Sequence, residues 1–240
     1  PIFVHVSLFL KVLMKEKFYT YLELLKPLPR LQVAPPVFLI ISKIIYAIFN
    51  PKTPYYSDMA LKIVPFISGV VSLPLFWLLC FKVYKNRNIA LLGMLILGAY
   101  PTAISFSAIF KQYSFEALCT IIIFLITLSI NFSKSSIYKN CFKFLLLGLM
   151  PAFSLSSFWI LPFCFIYLLY IAFKKGEVKR LLLFSLITIT CIGIYYLTFL
   201  KYIIAVHYAP MIDYWGKKVA FCRYNDIFFV YVYNLIWGNF

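Results

Sequence analysis

Four residues in one short stretch, Lys111, Gln112, Tyr113 and Glu116, carry a cation, an amide, a phenol and a carboxyl, and long apolar runs flank them on both sides. An ionisable group set between two such runs is expensive to keep near a bilayer core and is a candidate site by default. A lysine there can steady a departing phosphate, where negative charge develops, and Glu116 can orient a contact to the donor of that phosphate. Each also has a structural reading. Lys111 can lay its stem on apolar surface and lift its ammonium to the headgroups. Glu116 can favour a helix dipole from the first turn. Gln112 stands four residues before Glu116, so the two can pair on one helix face, and the polar cluster as a unit favours function.

Two further groups are candidates. Arg30, Gln32 and Lys43 surround Pro35 and Pro36; they can bind a lipid phosphate, the planar fork of arginine being the better match, or anchor in headgroups. His207, Asp213, Tyr214 and Trp215 share a polar segment with Pro210, Gly216, Lys217 and Lys218. An aromatic there can stack on a sugar or an isoprenoid, although interface belts are rich in Tyr and Trp without any ligand. His5 and His207 are isolated, and the six cysteines form no CxxC pair and fall mostly inside apolar runs. The cysteines read as packing residues, no His or Cys cluster has zinc-site spacing, and His207 is a candidate acid or base.

The elements that must hold these groups are apolar. The chain is 64% hydrophobic and 12% charged, with a mean hydropathy of +0.93, where a soluble domain has about a quarter of its residues charged. The net charge of +16 does not indicate nucleic acid, because the Lys and Arg residues punctuate apolar runs and do not gather on one solvated face. Five uncharged runs, 63–81, 89–110, 117–133, 144–173 and 181–200, are long enough or nearly long enough to cross a core of about 30 Å at about 1.5 Å per residue. The gaps after the first, third and fourth runs are basic: Lys82, Lys85 and Arg87; Lys134, Lys139 and Lys143; Lys174, Lys175, Lys179 and Arg180. Under the positive-inside rule these are cytoplasmic turns.

Run 144–173 is too long for one straight pass, and Pro151 with Ser154, Ser156 and Ser157 interrupts it. Two passes, one ending near Ala152 and one from about Leu155 to Phe173, put all the basic turns on one side; a single kinked helix is the alternative. The region 33–50, interrupted by Lys43, reads as an interfacial or re-entrant helix. The expectation is an all-α, polytopic transmembrane helical bundle of about six spans plus interfacial helices. Residues 1–60 are juxtamembrane, 61–203 form the bundle, and 204–240 form an outer loop and the start of a further apolar helix. Pro1 opens the chain without a cleavage pattern, so the sequence reads as an excerpt of a longer protein.

Four segments carry a family resemblance. Gln32-Val33-Ala34-Pro35-Pro36-Val37-Phe38-Leu39 resembles the Q-x-A-P-P-x-F-L segment of the GT-C integral membrane glycosyltransferases, the bacterial branch related to protein mannosyltransferases and aminoarabinose transferases. Leu61-Lys62-Ile63-Val64-Pro65-Phe66-Ile67-Ser68-Gly69 is similar to that family's L-R-x-x-P-x-x-x-G helix start, with Lys62 for Arg. Lys111-Gln112-Tyr113-Ser114-Phe115-Glu116 is similar to its K-Q-Y-S-x-D loop, with Glu116 for Asp, and Tyr214-Trp215 resembles a later Tyr-Trp pair.

The resemblance implies sugar transfer from a polyprenyl-phosphate donor to a lipid, glycan or protein acceptor on the outer face of a bacterial cytoplasmic membrane. It implies membrane lipids as partners and no nucleic acid, requires no cofactor and leaves a divalent metal open. It also implies a catalytic Asp, commonly in an Asp-Glu pair, near Val4 and His5 or upstream of Pro1, where this chain has no carboxylate before Glu16. A lipid-linked glycan flippase, a small-solute transporter and an inactive membrane scaffold are the other functions open to such a chain; no internal repeat of the transporter kind is visible.

Overall fold

Proline and small polar residues divide the apolar chain into helices. The structure, a computed structural model, describes residues 34–49, 53–132 and 137–200. These form eight α-helices: α1 Pro36–Phe49, α2 Pro54–Tyr84, α3 Arg87–Ala99, α4 Pro101–Ala108, α5 Tyr113–Ser129, α6 Ile137–Phe153, α7 Ser157–Lys174 and α8 Val178–Tyr195, the last continuing as a π-helical turn, Tyr196–Leu200. No strand occurs among the described residues.

The boundaries follow local chemistry. Thr53 caps α2, its side chain accepting from the Tyr56 N–H, and Pro54 takes the first turn, where its missing donor is harmless. The helix therefore starts well ahead of the apolar run at 63, and the Asp58–Lys62 pair, four residues apart, sits in its added turns. Asn86 caps α3 through Asn88 and Ile89. Tyr100 then stands before Pro101, which disfavours helical geometry at Tyr100, and run 89–110 breaks into α3 and α4, bent by 57°. At the end of α7, Gly176 takes φ +70°, its N–H donates to the Phe173 carbonyl and that of Glu177 to Ala172. This pair of bonds needs the left-handed residue that glycine supplies.

Run 144–173 divides as the serines and Pro151 suggest. In one continuous helix Phe144 and Phe165 would be separated by about 30 Å; their ring centroids are 6.0 Å apart, so α6 and α7 fold back on each other. Phe144 also stacks on Phe184 of α8 at 5.5 Å, and the Thr188 hydroxyl donates to the Phe144 carbonyl at 2.8 Å. Ile123, Phe144, Leu147, Leu161, Leu168 and Phe184 form one buried core across α5 to α8.

The basic turns converge at one end. The Lys175 ammonium donates to Asn131 Oδ1 at 3.1 Å, Arg180 donates to the Phe132 carbonyl at 3.1 Å, and Lys143 donates to the Ser129 carbonyl at 2.5 Å. Ser129 ends α5, where orphaned carbonyls carry partial negative charge, and Asn131 and Phe132 follow it within three residues. Lys82, in the last turn of α2, lies within electrostatic reach of Lys143.

Outward-facing apolar side chains follow helical spacing: Trp159, Phe163, Ile166, Tyr170 and Phe173 on α7, and Leu182, Leu186 and Ile189 on α8, are all exposed. In water such stripes would be a liability; facing lipid they are the expected surface. Three helices are long and apolar enough to cross a membrane, or four if α3 and α4 are one bent span, and α1 and α5 are shorter apolar helices. The fold is that of an all-helical integral membrane protein.

Candidate functional site

At the end of the bundle opposite the basic turns, α1 lies over the link between α4 and α5. Phe38 stacks on Phe110 at 5.6 Å between ring centroids and meets Phe115 at 5.7 Å. Phe38 and Leu39 close over Val64, Phe115 and Cys119, with Phe110 and Phe153 against the same cluster. The Pro35-Pro36 segment, which turns the chain into α1, and the Lys111–Glu116 segment are thus neighbours although over seventy residues separate them in sequence. Below, Gly69 of α2 makes room for α4: a Cβ there would come within 2.2 Å of Ser107 Oγ.

Lys111 is exposed and precedes α5, in a tight turn where its N–H donates to the Ile109 carbonyl. Its ammonium lies over the Tyr113 ring, 5.5 Å from the centroid, within cation–π range, and Tyr113 in turn packs on Phe106 at 4.7 Å. Gln112 takes the N-cap position, and its carbonyl accepts the Glu116 N–H at 2.8 Å. Ser114 is buried, with its hydroxyl 3.4 Å from that of Ser107.

Glu116 is half-buried in the first turn of α5, one residue ahead of the apolar run. Burial pushes its carboxyl above the usual carboxylate range, while a hydrogen bond from the Leu155 backbone N–H works the other way. That bond ties α5 to the reversal between α6 and α7, where the Ser154 and Ser156 hydroxyls pair at 2.7 Å. Glu116 is therefore directed at Leu155, a partner absent from the sequence reading. The signal for it was the serine group inside an apolar run, read there as a helix break.

Lys43 lies five residues along α1 from Phe38, about 140° round the helix, and lines a shallow depression with Ile44, Ala47 and Ile48. The structure does not bring it to the Phe38–Phe110 contact. Arg30, Gln32, His207, Asp213, Tyr214, Trp215 and the Val4–His5 position lie outside the described residues. Among the described residues no group of three or more His, Cys, Asp or Glu is placed to hold a metal ion, and Cys80, Cys119, Cys141, Cys164 and Cys191 are free thiols.

The site thus combines an exposed cation on an aromatic face, a half-buried carboxyl of raised pKa and an aromatic cover. It can hold an anionic group at the membrane boundary and exchange a proton there. Compared with protein-family models, with curated proteins and with solved structures, the chain matches none.

Proposed function

We propose that the protein is a membrane glycosyltransferase of about six spans that moves a sugar from a polyprenyl-phosphate donor to a lipid, glycan or protein acceptor. The observation that carries this reading is the contact of Phe38 with Phe110 and Phe115, which joins two of the segments with a family resemblance at one end of the bundle. In this reading the acceptor oxygen bonds to the anomeric carbon as the carbon's bond to the phosphate oxygen breaks. The phosphate leaves with the electron pair, and the hydroxyl proton passes to a carboxylate base.

Lys111 offsets the charge that grows on the leaving phosphate, and the Tyr113 ring beneath it limits where its ammonium can go. Glu116, held by Leu155, orients the mouth of α5 and a contact to the donor, and the base is the Asp that the resemblance implies near or upstream of Val4 and His5. The aromatic cover from α1 suits an isoprenoid chain.

The test is transfer itself: full-length protein in liposomes, a polyprenyl-phosphate sugar, and product followed by mass. Lys111→Ala is expected to lower turnover about a hundredfold, the scale of losing one preorganised group at a developing anion. Unchanged turnover in Lys111→Ala and Glu116→Gln would defeat the assignment, and movement of the lipid-linked sugar across the bilayer without transfer would make the protein a flippase.

A further inference from the structure

Two seams of the bundle are built differently. Across α5 to α8 directional bonds tie the helices: Thr188 donates to the Phe144 carbonyl, and Lys143, Lys175 and Arg180 donate to the segment 129–132. α1 meets the bundle through rings and aliphatic carbons. Its buried residues, Pro36, Phe38, Leu39 and Ser42, lie in its first two turns, while Ala47, Ile48 and Phe49 at the other end are exposed. The buried Ser42 hydroxyl at this seam donates to the Phe38 carbonyl of its own helix at 2.8 Å, so it stays satisfied wherever α1 goes. Phe38 shares a cluster with Val64, and the Tyr46 hydroxyl lies 3.2 Å from that of Ser57. α1 therefore runs antiparallel to the start of α2, with its proline end the deeper.

Apolar contact is non-directional, so the Phe38 seam can part and reseat without orphaning a buried hydroxyl. Segments held in this way open at a lower free energy than those tied by buried bonds. Beneath α1 lies Cys119, with Glu116 one helical turn before it. We propose that α1 is a hinged cover: pivoting at its Tyr46 end, it lifts Phe38 away from Phe110 and Phe115 and uncovers Cys119 and the neighbouring Glu116. Closure of this kind, in which a packed element moves as a unit about one end, is a common gating motion. The cover is independent of the activity proposed above; it decides when the mouth of α5 is open.

Two native thiols test this. Cys119 and Cys164 are each 3% exposed, the first under α1 and the second in the core of α5 to α8. Two versions of the full chain in detergent, each keeping one of these cysteines with the others replaced by alanine, are labelled with a maleimide, and the rates are normalised to those of the denatured chain. Cys119 is expected to label about tenfold faster than Cys164, or more, while the amides of α1 stay protected from hydrogen exchange because the helix moves as a unit. Phe38→Leu keeps an apolar anchor but removes both ring contacts; it should speed Cys119 labelling about tenfold further and leave Cys164 unchanged. Melting temperature checks that each variant is folded. Equal rates at the two thiols would mean a fixed helix, and exchange of the α1 amides as fast as labelling would mean that α1 unravels. Equal acceleration of both thiols by Phe38→Leu would mean that the whole bundle loosens. Any of the three overturns the proposal.

Discussion

Glu116 shows how much one residue's surroundings decide. Burial raises its carboxyl and the Leu155 N–H lowers it, the first being the larger. A carboxyl with a raised pKa in the folded state binds more protons there than in the unfolded chain, between its ordinary value and its folded one. Its contribution is therefore most favourable below the ordinary carboxylate value and becomes less so as pH rises through that window. The wild type should gain melting temperature over Glu116→Gln as pH is lowered from neutral into the carboxylate range, and a difference between the two that does not vary with pH would contradict the assignment. The acidic residue in a polar cluster was legible in the sequence; its partner was not, because Leu155 offers a backbone group, which every residue carries. Lys111 was legible as the odd cation between two apolar runs, but its seat on Tyr113 depends on a turn at Ile109 that no periodicity announces.

Among the elements, α6 and α8 are in direct backbone-to-backbone contact. They run in the same direction, α7 carrying the chain back from one to the other, and Gly148 permits the approach: a Cβ there would sit 2.7 Å from Cys191 Cβ and 3.0 Å from Thr188 Cα. The second of these is backbone, which cannot swing aside. Gly148→Val should therefore force the two helices apart and lower thermal stability in detergent by several degrees. Thr188→Val, which keeps the shape and removes the bond to the Phe144 carbonyl, should cost about 1 kcal/mol. Equal effects of the two substitutions would show that the hydroxyl, not the close approach, holds the pair. Helix positions were largely readable from apolar runs and their interrupters. Helix starts were less so: α2 begins at Pro54 because of Thr53 and a local ion pair, features that hydropathy does not weigh. Run 89–110 reads as uninterrupted, yet Pro101 bends it by 57°.

For the whole molecule, the pairing of turns at the two ends is the property most open to measurement. With its native cysteines replaced by alanine, the chain carrying Arg87→Cys or Lys179→Cys should label from one face of sealed vesicles, and Tyr56→Cys from the other. Labelling of Arg87→Cys and Lys179→Cys from opposite faces would break the odd-and-even reading of the helices. That reading could be drawn from the sequence because charge is so sparse that each basic gap stands out; which helices touch could not, since apolar surfaces of similar composition give no pairing rule. The bundle's helices are also unequal. α2 has 31 residues and measures about 46 Å, while its neighbour is cut short by the bend after α3, which lays α4 over at an angle. Lipid along α2 meets a tall wall, and lipid beside α4 meets a low one. A bilayer of one thickness cannot match both, so it must thicken or thin around the protein's circumference. The bend at Pro101 thus shapes the surrounding membrane as well as the chain.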